Sequence, residues 1–178
     1  PRPLPVTQYS KGFERKNKDA FQFYLNTGPL PMFNQLYLGD SISFWNDLMQ
    51  QGVYNDWWQA RNVRKYVSDI KPAMLVVGGT FDAEDVFGAW NLYKAIETSN
   101  DAAHYNKLVM GPWFHGAWGG RSSGDALGDI KFGSATSHWY QQHIELPFFE
   151  YFLNNKEQHP IAEASIFISG ENNWRSFE

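Results

Sequence analysis

The sequence predicts an α/β protein, and three observations carry that prediction. A buried strand, an amphipathic helix and a second buried strand follow one another over residues 71–111. An aromatic-rich helical segment precedes them. An alternating run at residues 164–168 then closes the chain as a strand of a different kind. Together they divide the 178 residues into a partial helical cap or lid at 1–68, an α/β portion at 69–160 and the start of an antiparallel β domain at 161–178.

Residues 1–30 are polar and broken by Pro1, Pro3, Pro5, Gly12, Gly28 and Pro29, so they read as extended or irregular with one short helix around Asp19 to Leu25. From Phe33 to Gln51 the pattern turns helical: Asp40 or Ser41 serves as cap, Phe44, Leu48 and Met49 share a face, and Gly52 ends the segment. A second helix is expected over Asp56 to Tyr66, capped by Asn55, with Trp57, Ala60 and Val63 at helical spacing.

The run Lys71-Pro72-Ala73-Met74-Leu75-Val76-Val77-Gly78-Gly79 is short, continuous and apolar, as a strand buried on both faces of a parallel sheet would be. Residues 83–98 present Val86, Phe87, Trp90, Tyr93, Ala95 and Ile96 as a helical stripe, and Lys107 to Gly111 supply the second strand. Strand, helix and strand in that order make a right-handed βαβ unit. Residues 115–136 are glycine-rich and read as a long loop; Ser137 is expected to cap a helix over 138–153, kinked near Pro147. Ile166 and Ile168 then alternate with Ser165, Phe167 and Ser169 ahead of a turn at Gly170 to Asn173, the signature of a hairpin.

Composition narrows the function classes. A net charge of −4 argues against a nucleic-acid partner, which needs a basic face. Apolar runs reach about five residues, against the roughly 20 of a membrane span. The chain has no cysteine, which removes a disulfide frame, a thiol nucleophile and Cys-ligated zinc. His138 and His143 are five apart, which does not align two ligands on one helix face, and His104 and His159 lie in polar loops. No metal or other cofactor is implied, and homo-oligomerisation stays open.

In open α/β sheets, ligands and catalytic groups collect beyond the C-terminal strand ends. Asp82 follows the first strand there and His115 follows the second. An acid and then a histidine is the second half of the Ser…Asp…His order, in which histidine takes the nucleophile's proton and the carboxylate fixes its tautomer. The alternative on the residues alone is a helix-capping aspartate and a loop histidine.

The wording of these segments goes further. Gly78-Gly79-Thr80-Phe81-Asp82-Ala83-Glu84-Asp85, then Gly111-Pro112-Trp113-Phe114-His115-Gly116, resembles the CocE/NonD (peptidase S15-like) group of serine hydrolases. Glu145 to Leu153 and Asn173-Trp174-Arg175 match as well, so the resemblance covers residues 50–178. It implies a partial α/β-hydrolase fold with a helical cap and the start of a C-terminal jelly-roll sandwich. Asp82 and His115 become triad acid and base of an acylase or esterase acting on small esters or amides, such as α-amino acid esters or β-lactam side chains.

The motif wording is nearest that of the α-amino acid ester hydrolases and glutaryl-7-aminocephalosporanic acid acylases. In the former, two acidic residues after the triad aspartate help hold the substrate's α-ammonium group, and Glu84 and Asp85 stand at that spacing. The alternative is that they favour a helix dipole in its first turn. Trp113 and Trp118, flanking His115, and Trp57 on the cap are the aromatic candidates for lining a substrate pocket.

The departure is the nucleophile. No Gly-x-Ser-x-Gly precedes Asp82, and Gly120-Arg121-Ser122-Ser123-Gly124 follows His115 in a loop, a decoy by order. The expectation is therefore a fragment whose partner is the rest of a longer parent chain, inactive alone, and from a bacterial protein exported to the periplasm or medium, with the cytosol as the alternative. Two readings compete: an X-Pro dipeptidyl-peptidase-like member of the same group, and a non-enzymatic aromatic-rich module binding carbohydrate or protein. The binding module predicts no hydrogen bond between Asp82 and His115.

Overall fold

In the computed structural model, residues 17–157 and 161–178 are described. The irregular stretch expected before residue 17 and the loop position of His159 lie outside them. The chain divides into two compact units, Pro1–Arg61 and Asn62–Glu178.

The first unit is helical. Asp19 accepts a hydrogen bond from the Gln22 amide and so caps α1 (Ala20–Thr27). A turn, α2 (Pro31–Phe33), runs into a π-helical segment at Asn34–Leu38. Phe23 and Phe33 are buried, with ring centroids 5.9 Å apart, and Tyr37 packs on both. The helical run expected from Phe33 to Gln51 is broken at Gly39 and Asp40, both with positive φ. Asp40 hydrogen-bonds Asn34 rather than capping α3 (Ser43–Gln50), which starts at Ile42 without a side-chain cap.

Asn55 caps α4 (Asp56–Gln59) as expected, but the helix stops there. Asn62 accepts the Arg64 amide and starts a separate 3₁₀ turn, Val63–Tyr66, in the second unit. A side chain that can cap anew competes with helix continuation, so the single helix expected over 56–66 becomes two pieces.

The second unit is built on a four-stranded sheet in the order β1 (Met74–Gly79), β2 (Asn106–Gly111), β5 (Ala164–Ile168), β6 (Asn173–Phe177). β1 (Met74–Gly79) and β2 (Asn106–Gly111) are parallel, joined through α5 (Val86–Ser99). Alternate side chains point to opposite faces. Val76, Leu108 and Met110 pack with Ile96 and Trp90 of α5, while Leu75, Val77 and Val109 pack with Tyr140 and Ile144 on the other side. Burial on both faces explains why both strands read as unbroken apolar runs.

The loop after β2 carries a 3₁₀ turn (Ala117–Gly119) and a small hairpin of β3 (Ala126–Leu127) and β4 (Ile130–Lys131). The following helix has three pieces: α6 (Thr136–Tyr140), a π-helical stretch (Gln141–Glu145) and α7 (Leu146–Asn154). Pro147 sits in the first turn of α7, so the predicted interruption falls where a proline has no amide to offer. Ser137 does not cap this helix: it lies inside it, buried, and its hydroxyl has no hydrogen-bond partner among the described residues.

β5 (Ala164–Ile168) and β6 (Asn173–Phe177) form the expected hairpin, with Ile168 opposite Asn173. β5 adds in parallel to β2, Leu108 opposite Ala164, so residues 164–177 extend the α/β sheet. Alternation marks a strand but does not name its neighbour. Glu163 secures the join by accepting from Tyr93 of α5 at 2.6 Å and pairing with Lys107 of β2 at 2.7 Å. No described helix is long and apolar enough to cross a membrane.

Candidate active site

The site is assembled where β1 and β2 end side by side. The Thr80 amide donates to the Gly111 carbonyl at 2.8 Å, and the Phe81 amide to the Trp113 carbonyl at 3.2 Å. These bonds stitch the chain leaving β1 to the chain leaving β2. Gly79 faces the Trp113 carbonyl so closely that a Cβ there would collide with backbone. The glycines ahead of Asp82 therefore allow two turns to approach, which is what brings Asp82 to His115.

Asp82 is 6% exposed. Its Oδ1 accepts the Glu84 and Asp85 amides at 2.8 and 3.1 Å, and its Oδ2 lies 3.0 Å from His115 Nδ1. Burial pushes the carboxyl pKa upward, but the two amides and the histidine outweigh it and hold Asp82 below the ordinary carboxylate value. An ionised carboxylate can only accept, so Nδ1 carries the hydrogen and the Nε2 lone pair points away from the pair. The His115 side chain is 56% exposed, which leaves Nε2 reachable. The arrangement can take a proton from a group presented at Nε2 and stabilise the imidazolium that results. Among the described residues, no hydroxyl hydrogen-bonds His115.

Gly116, with φ of +78°, reverses the chain immediately after His115. The turn that follows brings Trp118 edge-on to the imidazole, ring centroids 6.0 Å apart. Phe81 and Phe114, each adjacent to a member of the pair, are exposed. Ser122 and Ser123 of the decoy motif bond locally, to the Gly124 amide and the Asp125 carboxylate, and no strand leads into them.

Other candidates separate clearly. Asp85 is the N-cap of α5, accepting the Gly88 amide at 2.8 Å, so its carboxylate is engaged by the helix. Glu84 is exposed, with only its amide committed to Asp82. Trp113 does not line a pocket: it is 1% exposed, in the core with Tyr140 and Ala117. Its position after the strand end suggested a rim residue, yet Gly111 leaves a space that the indole fills. Trp57 lies in the first unit, under the Arg61 guanidinium 3.5 Å from its ring centroid. Thr136, which the sequence reading passed over, receives the Trp113 indole hydrogen bond at 2.9 Å. No local signal announces it, because the two residues are 23 positions apart.

The family pattern of the X-Pro dipeptidyl-peptidases (S15 family) matches residues 13–117, a span that contains both Asp82 and His115. An aminopeptidase from the marine sediment archaeon Thaumarchaeota archaeon superposes on 97% of this chain with a TM-score of 0.81 and 27% identity. An α-amino acid ester hydrolase superposes on 93% with a TM-score of 0.82, also at 27% identity. The chain spans 28% and 27% of the lengths of these two proteins. No curated protein matches its sequence.

Proposed function

The chain belongs to the X-Pro dipeptidyl-peptidase (S15) family, and from that premise we propose that it supplies the acid and base of a serine hydrolase. The observation that carries the reading is the 3.0 Å contact between the buried Asp82 carboxylate and His115 Nδ1, beyond two adjacent parallel strands. A binding module has no use for that contact, and the rival reading forecast its absence.

The nucleophile in this reading is a serine of a longer parent chain. His115 Nε2 takes the serine proton as Oγ bonds to the substrate carbonyl carbon. Collapse of the tetrahedral intermediate breaks the bond to the leaving alcohol or amine, and His115 returns the proton to it. Water then attacks the acyl-enzyme, with His115 again as base, and the acid and free serine are released. Asp82 keeps Nδ1 as the protonated nitrogen throughout.

The favoured substrates are small acyl esters or amides, α-amino acid esters foremost. The exposed Glu84 carboxylate, two residues beyond Asp82, supports recognition of an α-ammonium group. A second reading, cleavage after an X-Pro dipeptide, is favoured by the family pattern itself. The test is steady-state hydrolysis by the full-length parent of a chromogenic α-amino acid ester and of an X-Pro anilide, each beside His115→Ala. Loss of at least about 10³-fold in kcat on the ester identifies His115 as the base. Unchanged hydrolysis removes it from the mechanism, and turnover of the anilide alone selects the second reading.

A further inference from the structure

The turn that carries His115 is braced from behind by a buried chain of hydrogen bonds. Trp113 Nε1 donates to Thr136 Oγ1 at 2.9 Å, and the Thr136 hydroxyl donates to the Gly124 carbonyl at 2.6 Å. Trp113 and Thr136 are almost wholly buried and Gly124 is buried with them. In the other direction the Trp113 carbonyl accepts the Phe81 amide, one residue before Asp82. Trp113 therefore touches both turns of the candidate acid–base pair, and Thr136 fixes its indole.

The same helix holds the loop that follows His115. The Ser137 amide donates to the Ser123 carbonyl at 3.0 Å, and Gln141 Nε2 to the Trp118 carbonyl at 3.2 Å. Gly124, with φ of +73°, lies against the Thr136 and Ser137 hydroxyls so closely that a Cβ would strike both. Each tie is directed and at least partly buried, so it limits the freedom of a turn that would otherwise be held by packing alone.

We propose that Trp113 and Thr136 form a strut that positions His115 against Asp82, with the start of α6 as its anchor. This rests on the hydrolase reading above and assigns the two residues no contact with substrate. Trp113 fixes where the turn leaves β2, and Thr136 fixes the indole by accepting its N–H while passing its own hydrogen to Gly124. Removing the Thr136 hydroxyl strands a buried donor on Trp113 and a buried acceptor on Gly124. The turn then relaxes to satisfy them, and His115 moves with it.

The test compares wild type, Thr136→Val, Thr136→Ser and Trp113→Phe in the full-length parent. Valine keeps the branched shape and removes the hydroxyl; serine keeps the hydroxyl; phenylalanine keeps an aromatic ring and removes the donor. The expected result is a fall in kcat of about 10- to 100-fold for Thr136→Val and Trp113→Phe, the scale of a small misplacement of a reacting group. KM stays within about twofold, since no substrate contact is lost. Thr136→Ser returns kcat to within about threefold of wild type, as a restored hydroxyl requires.

A second readout needs no activity: the low-field proton resonance of His115 Nδ1 bonded to Asp82, assigned by its loss in His115→Ala. It weakens in Thr136→Val and persists in Thr136→Ser. Wild-type kcat in Thr136→Val, or equal losses in the valine and serine variants, overturns the strut. If Thr136→Val does not fold, Trp113→Phe decides by the same criteria. If wild type hydrolyses no ester or anilide, the hydrolase reading fails by itself. The resonance then judges the strut, and an unchanged signal in Thr136→Val and Trp113→Phe overturns it.

Discussion

Asp82→Asn isolates the carboxylate charge from the shape of the site. The asparagine carbonyl must take the Oδ1 position, because the Glu84 and Asp85 amides both donate there. Its NH₂ group then faces His115 Nδ1, where Oδ2 accepts at 3.0 Å in the native protein. Two donors cannot share one hydrogen bond, so the imidazole adopts the tautomer with hydrogen on Nε2. That nitrogen can no longer accept a proton. In serine-protease triads the same exchange lowers kcat by about 10⁴-fold, a barrier increase of about 5.5 kcal/mol at 1.36 kcal/mol per tenfold. The full-length parent with Asp82→Asn is expected to lose 10³- to 10⁴-fold in kcat on an activated ester. A folded variant within tenfold of wild type would refute the reasoning, since no tautomer argument allows so small a loss.

Stability adds an independent check on the same substitution. Hydrogen bonds to a charged acceptor exceed neutral ones by about 1 kcal/mol each, so replacing a buried carboxylate that holds two amides costs about 2 kcal/mol near neutrality. Asp82 titrates below its ordinary value in the fold, so the native state binds fewer protons there than the unfolded chain. Its contribution is complete above the ordinary carboxylate value of about 4. It drains away as pH falls through that value toward the lower folded one. Denaturant unfolding of wild type and Asp82→Asn should differ most at neutral pH and converge in acid. A gap that grows in acid would show that the amides do not hold an ionised carboxylate.

Two further substitutions test the remaining assignments. Asp85→Ala removes the cap of α5 and should cost about 1 kcal/mol in denaturant unfolding, while KM for an α-amino ester stays within twofold of wild type. A rise in KM confined to substrates with a free ammonium group would instead make Asp85 part of substrate recognition. Gly79→Ala forces a methyl group into the Trp113 carbonyl and should destabilise by about 3 kcal/mol, the upper end of overpacking costs. Its unfolding midpoint and kcat should fall together, and a neutral effect would mean that the β1 and β2 turns are not held as closely as described.

What was legible in the sequence, and what was not, follows from the range of the forces involved. β1, β2 and α5 were readable because burial on two faces and a helical stripe are local patterns, and the strand ends then placed Asp82 and His115. Their convergence follows from the parallel pairing of β1 with β2 and turns of similar reach. Trp113 was misread because the residues just past a strand end no longer alternate; the void above Gly111 decides its direction, and a missing side chain is a weak signal. The 56–66 segment was misread for the opposite reason, since periodicity was present but Asn62 offered the backbone a better local partner. Thr136, Ser137 and the parallel addition of β5 to β2 depend on residues far apart in the chain. The Asp82–His115 contact is thus written locally, while the hydrogen bonds of Trp113, Thr136 and Gly124 behind it appear only when the loops, α6 and the sheet are seen together. A substitution at Thr136 should therefore disturb catalysis more than any pattern in its own neighbourhood suggests.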